Sequence, residues 1–469
     1  MDIVYRSSGQ LRLRSLQPQL AQLIVRGTLS PALARSMRKS PPGIFLSIVS
    51  MLLLSSGLSG VLAQTQNEDD LHGVYEPLEL RRQEPNDLIE TAAQYRDLFE
   101  RRSLLYSDPR VLELVRRIGA DLAPEPTDDY IHYEFYVIRD PSPNAFAFPN
   151  GQIYIHTGML ARLQDSSQLA ALLAHEINHA AGHHTILSHR ITAKRLAIQV
   201  LGGALGGIMG QLRYSRRLEQ EADDRAAFLM QDTHYDPHAM TEVLEILDQD
   251  FEGLDPRYAT IWTTHPDPAA RIEASRLNVA GLPAKTRDAD AFDLIIYPLR
   301  ALTVRDYIQD DYPYTAIAVA ESFLERYPGD PEFLMALGDA QRTLGPRPEA
   351  APEDFTRRDA RRNLRERIRL TRDQRIETLL ETPEGKAAMA ANLARARDTY
   401  ASILETNPEY SAAYRGLGEV YEAEGDDRVA ARAYLTYVQQ MPDATDRPII
   451  VGRLAAIRDR LMQQETDNE

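Results

Sequence analysis

The chain has 469 residues, with 53 Lys and Arg against 69 Asp and Glu, so it exceeds one ordinary domain and is too acidic for a general nucleic-acid binder. It contains no Cys, which excludes disulfide frameworks, thiolate metal sites, cysteine nucleophiles and lipid attachment at cysteine. Any metal must sit on His and carboxylate.

In chain order, the apolar run at 44–63, IFLSIVSMLLLSSGLSGVLA, follows Arg38 and Lys39 and closes on Val61-Leu62-Ala63, the small-x-small pattern of a signal-peptidase site. The segment 1–63 therefore reads as an N-terminal extension plus a signal peptide cut after Ala63, with a start at Met37 giving a signal of ordinary length. A retained anchor is the alternative, weakened by five Ser within the run and by the lack of a basic flank beyond it. The same segment holds seven basic side chains and one acidic one, which leaves a formal charge of −22 on the rest. The segment 64–87 is a polar leader.

Apolar residues then recur at helical spacing from 88 to about 123, with a break at Asp108-Pro109. After Pro124 and Pro126 the period changes to two at Ile131, Tyr133, Phe135 and Val137, and again at Ile153 and Ile155 beyond Pro149-Asn150-Gly151. This predicts a small sheet with a hairpin. The segment 143–156 is a candidate edge strand that could pair with the backbone of a substrate, the alternative being an ordinary sheet edge.

Asp165 and Gln168 have capping-box spacing and open the helix LAALLAHEINHAA, which Gly182 stops. Within it, His175 and His179 lie one turn apart on one face, and Glu176 sits where it can reach a metal-bound water, the HExxH arrangement. Two His and a Glu are costly in so apolar a helix unless a ligand satisfies them. A metzincin would need a third His where Thr185 stands, so that class fails. His183 and His184 read as solvated residues favoured by the helix C-terminal dipole.

A later helix, RRLEQEADDRAAFLMQ at 216–231, places Glu219, Ala222, Asp223, Ala226 and Met230 on one stripe. Glu219 is therefore the expected third Zn²⁺ ligand. Asp223, one turn on, can hold a ligand imidazole, while Glu221 and Asp224 point away. Between these helices, the stretch 196–212 is uncharged and carries five Gly. Bounded by Arg195 and Arg213, it falls short of a bilayer span and reads as a buried or flap-like helix, with peripheral membrane contact the minority view. His265 lies in Trp262-Thr263-Thr264-His265-Pro266, a predicted loop where a His is ordinarily solvated.

In the C-terminal third, Leu417, Gly418, Tyr421, Gly425, Ala430, Tyr434 and Pro442 occupy tetratricopeptide positions, and Ala396, Tyr400 and Pro408 match them one repeat earlier. A further copy runs through Ala316, Ala320, Phe323 and Pro328 into Leu337, Gly338 and Gly345. The distance from Leu337 to Leu417 exceeds two repeats, so the unit between is degenerate or carries an insertion. Nine Arg between 357 and 375 stand against three acidic residues there, a solvated helix face or a dock for an anionic partner. Stacked units leave a concave surface that suits extended polypeptide, unless they form a plain helical cap.

His175-Glu176-Ile177-Asn178-His179, the run 215–223, Thr264-His265-Pro266 with Arg271-Ile272, and Asn144-Ala145-Phe146-Ala147 with Gly151 together resemble the metallopeptidase family of HtpX and the CAAX prenyl endopeptidase. With a signal peptide and trailing repeats, the chain is most similar to its soluble periplasmic branch. The resemblance implies an α+β fold: a mostly helical zincin-type domain with a small sheet at 88–300, then an α-solenoid of tetratricopeptide-like repeats at 301–469. It implies a gluzincin endopeptidase holding one Zn²⁺ and acting in the periplasm on misfolded polypeptides, outer-membrane β-barrel precursors above all. The repeat domain is expected to engage clients or the β-barrel assembly machinery. It also gives His265 a gating or transition-state role and Asn144, Ala145, Phe146, Gly151 and Arg271 a role toward substrate. The competing reading is a repeat-based periplasmic chaperone or scaffold whose protease site is mostly latent.

Overall fold

The computed structural model describes residues 84–126, 128–184, 214–249, 265, 268–348 and 372–467. The segment 44–63, the leader up to residue 83, the stretch 196–212 and the part of the Arg-rich segment at 357–371 lie outside them. Among the described residues, no helix is long and apolar enough to cross a membrane.

Helices α1 (Glu84–Arg101) and α2 (Pro109–Leu122) meet at the expected break. Asp108 accepts a hydrogen bond from the Arg110 N–H, and Pro109 occupies the first helical position, where a missing N–H is harmless. Three strands follow: β1 (Glu134–Ile138), β2 (Ala145–Ala147) and β3 (Gln152–His156). The sheet order is β1-β3-β2, with β1 parallel and β2 antiparallel to β3. The hairpin is therefore present, but the edge is narrower than 143–156, because β3 is the central strand and only β2 lies at that end of the order. Gly151 turns the hairpin at φ +89°, and a Cβ there would lie 2.5 Å from the His132 carbonyl oxygen.

β3 is buried on both faces. Ile153 and Ile155 enter the main core with Val111, Ile118, Leu169 and Leu173, whereas Tyr154 joins Phe99, Phe146 and Phe148 in a second, aromatic cluster. After the short helix α3 (Thr157–Arg162), α4 (Ser166–Ala181) runs through the main core. Asp165 caps it by accepting from the Gln168 N–H at 2.9 Å, while Gln168 Oε1 accepts from the Gln164 N–H rather than closing the reciprocal box. Helices α5 (Arg216–Gln231), α6 (Ala239–Gln249) and α7 (Pro268–Val279) complete the domain, with α5 and α6 packed on α4.

The expected boundary at residue 300 falls inside one helix, α8 (Ala289–Gln309). Its Phe292, Ile296 and Leu299 belong to the main core, and Ala301, Val304 and Tyr307 to the next cluster, so a single helix serves both regions. Arg300, 1% exposed, donates to the Ala161 and Leu163 carbonyls at 3.0 and 2.9 Å and fixes α8 against the end of α3.

Beyond it lie α9 (Pro313–Arg326), α10 (Pro331–Leu344), α11 (Arg372–Leu380), α12 (Pro383–Thr406), α13 (Ser411–Glu424), α14 (Asp427–Gln440) and α15 (Arg447–Asp467). Each packs on its neighbours in sequence, except that α10 packs directly on α12. The long spacing from Leu337 to Leu417 thus reflects an insertion between two paired helices. Three glycines in these helices mark close helix approaches: a Cβ on Gly338 or Gly416 would strike the Tyr400 ring at 2.5 or 2.6 Å, and one on Gly418 would strike Tyr434 at 2.5 Å.

Candidate metal centre

Helix α4 presents His175, Glu176 and His179, and α5 crosses it so that Glu219 and Asp223 face the same space. His175 Nε2 and His179 Nε2 are 2.9 Å apart. Glu219 Oε1 is 3.3 Å from His179 Nε2, and Oε2 is 3.6 Å from His175 Nε2. His265 Nδ1 completes the group, 3.0 Å from Glu219 Oε1 and 3.4 Å from His175 Nε2. Ligand atoms of all four residues lie within 4.8 Å of one another, and all four residues are buried. The predicted loop histidine is thus 2% exposed.

The charges are ordered around this cluster. Arg271 on α7 meets Asp223 with Nε and Nη2 at 2.7 and 2.8 Å, and its Nη1 lies 2.7 Å from Glu219 Oε2. Burial alone would push both carboxyls up; His265, Arg271 and His179 outweigh it at Glu219, and Arg271 and His175 outweigh it at Asp223, so both are held below the usual carboxylate range. Burial lowers the His179 imidazole well below its ordinary value and keeps it neutral, with a lone pair to give. Glu176 is different. Desolvation raises its carboxyl, and its Oε2 has no hydrogen-bond partner. His265 Nε2 is likewise buried and unpartnered.

These features fit a metal ion. Two imidazole nitrogens facing each other at 2.9 Å beside an ionised carboxylate, with orphaned polar atoms at the rim, are what a cation would satisfy. Nitrogen and oxygen donors without sulfur suit zinc. Asp223 Oδ1 sits 2.9 Å from His175 Nδ1, on the side of the ring away from the cluster, close enough for an ion pair although the N–H is not aligned as a full hydrogen bond.

Arg271 is committed to the two carboxylates. It braces the site: both ends of its guanidinium are occupied by these carboxylates and it is 4% exposed. Phe146 is a core residue stacked on Tyr154, and Gly151 is a turn residue whose backbone is pressed against His132. Asn144 and Ala145 are fully buried, and the Asn144 side chain accepts from the Ala145 N–H at 3.0 Å.

His184 corrects the expectation of a solvated residue. It is 1% exposed, with Nδ1 3.0 Å from His179 Nδ1, and burial lowers its pKa to about 4. His183 is half-buried, beside Tyr130 at 3.1 Å and Asp128 at 3.2 Å. Tyr214, which no sequence pattern marks, stacks on the His179 ring at 3.8 Å between centroids.

Residues 109–277, which span the whole cluster, match the profile of peptidase family M48. They form an M48 domain. Over 153 residues the chain is 33% identical to the mitochondrial metalloendopeptidase OMA1 of Schizosaccharomyces pombe, covering 30% of this chain and 45% of that one. It is 28% identical over 195 residues to the beta-barrel assembly-enhancing protease of Escherichia coli, covering 37% and 39%. The metalloprotease LoiP of Escherichia coli is 26% identical over 182 residues, covering 36% and 68%. The first two matches thus span less than half of each relative's length.

Proposed function

We propose that the chain is a zinc-dependent endopeptidase. The observation that carries this reading is the convergence of His175, His179, Glu219 and His265 within 4.8 Å, with Glu176 presenting an unpartnered carboxylate oxygen beside them. His175, His179 and Glu219 hold the metal, and Glu176 is the general base. A bound zinc ion would supply Lewis acidity to a water and to the peptide carbonyl. Glu176 takes the water's proton as it attacks and returns it to the leaving amine. Asp223 and Arg271 keep His175 and Glu219 in place throughout.

A cavity of about 20 Å³ adjoins His175, Glu176 and His265 and is otherwise walled by Leu172, Met240, Val243, Leu244 and Leu247 of α4 and α6, together with Arg271. Its apolar lining suits an apolar side chain next to the cleaved bond once the site opens. We take the substrates to be misfolded envelope proteins, outer-membrane β-barrel precursors above all, in the periplasm; the beta-barrel assembly-enhancing proteases among the relatives and the signal-like segment 44–63 support this. The repeat helices would engage client chains or the assembly machinery. The seat of His265 among the ligand atoms also favours a site that is shut at rest, which is the part of the scaffold reading that the geometry supports.

The purified protein should contain one zinc per chain, and a chelator should stop cleavage of casein or of a misfolded β-barrel until zinc is restored. Cleavage that persists after complete metal removal would overturn the proposal. Glu219→Ala should reduce bound zinc well below one per chain, because it removes a fully buried donor, whereas Glu221→Ala should not, since that side chain is partly exposed and pairs with Arg225. Equal zinc loss in both, by elemental analysis, would reject the ligand assignment.

A further inference from the structure

The two ligand imidazoles are held by different chemistry. His175 has a carboxylate behind it, whereas His179 has a second imidazole. His179 turns Nε2 toward His175 and Glu219, so to bind a metal there it must carry its lone pair on Nε2 and its proton on Nδ1. The atom facing that proton is His184 Nδ1, at 3.0 Å. Glu221 Oε2, 3.8 Å from His184 Nε2, is beyond hydrogen-bond reach.

The end of α4 is shaped to bring His184 back. His183 takes a left-handed conformation at φ +55°, a costly position for a residue with a side chain, and this reverses the chain. Gly182 has an ordinary negative φ of −81°, so it is not needed for a left-handed cap. A Cβ there would lie 2.5 Å from His184 Nε2 and 2.9 Å from the Asn178 carbonyl oxygen, and glycine leaves the space the imidazole fills. On its face, the His179 ring is covered by Tyr214, nearly parallel at 15°.

We propose that His184 is a positioning residue of the metal centre: its Nδ1 accepts the His179 Nδ1–H, fixing the tautomer that offers Nε2 to the metal and the angle at which it does so. This rests on the zinc reading above. It gives the second ligand a neutral partner where the first has a charged one, so the pair grips a cation without adding a further buried carboxylate to Glu176, Glu219 and Asp223.

The test compares His184→Gln, which keeps an acceptor, with His184→Leu, which has similar bulk and none. Zinc affinity is read by competition with a colorimetric chelator, ligand geometry by the visible spectrum of the cobalt-substituted protein, and folding by thermal unfolding of the metal-free form. His184→Leu should weaken zinc binding by roughly 10–100-fold and alter the cobalt spectrum, with metal-free unfolding close to wild type; His184→Gln should recover most of the affinity. Affinity of His184→Leu within twofold of wild type, or equal weakening in both variants, would overturn the proposal and leave His184 a filler of space. Wild-type protein that fails to bind zinc in the same titration would instead sink the metal reading on which it rests.

Discussion

Glu176→Gln should keep its zinc and lose peptide hydrolysis by about 10²–10⁴-fold, the usual contribution of a positioned general base. Glu176 is outside the group of four whose donor atoms converge, so the substitution removes no ligand. The wild-type carboxyl is 1% exposed with one oxygen unpartnered, and desolvation raises its pKa, which makes it a stronger base than a solvated glutamate. Gln has the same shape and no basic oxygen. It also removes a buried negative charge, so the variant should unfold at a temperature no lower than wild type. Elemental analysis and casein cleavage on the same preparation separate the outcomes. Zinc retained with activity within a few-fold of wild type would sink the mechanism, and zinc lost with activity would move Glu176 into the ligand set.

How much of this is legible in the sequence depends on the range of the interaction. The spacing within α4 and the stripe on α5 are local periodicities, and they identify His175, Glu176, His179, Glu219 and Asp223 as residues that could share one site. The structure brings all five together. The resemblance supplies Arg271 as a position without its partners; the pairing with Asp223 and Glu219 arises from how α7 packs beside α5, 48 residues along the chain from Asp223. His184 reads as solvated because a helix C-terminus is normally wet. Its burial follows from one left-handed residue, His183, which no pattern of apolar residues could reveal. Strand order is hidden for a similar reason. Alternation shows which side chains share a face, but the parallel pairing of β1 with β3 that makes β3 central is a long-range choice. In the C-terminal helices, the long spacing from Leu337 to Leu417 spans the segment between α10 and α12, which pack directly on each other.

His265→Ala decides whether the observed arrangement is a shut enzyme. Two roles are physically open to this side chain. As a latch, a neutral imidazole would fill the fourth position at the metal and exclude water; as a transition-state group, its N–H would stabilise the oxyanion after substrate displaced it. The geometry favours the first. Nδ1 lies 3.0 Å from Glu219 Oε1 and 3.4 Å from His175 Nε2, among the ligand atoms, while Nε2 is 3.9 Å from Glu176 Oε1 and has no hydrogen-bond partner. Three ligands and an open position describe a working zinc site, and four closed ones a structural site. Removing His265 should therefore leave zinc bound by His175, His179 and Glu219 while raising basal cleavage of casein and of the protein itself. If the imidazole acts in the transition state, the same substitution should lower turnover by ~10²–10³-fold, as loss of one oxyanion donor does elsewhere. The two roles predict opposite signs, so one rate measurement with zinc content as its control distinguishes them. Unchanged basal and substrate-stimulated rates would remove both roles, leaving a histidine buried beside the ligands for packing alone.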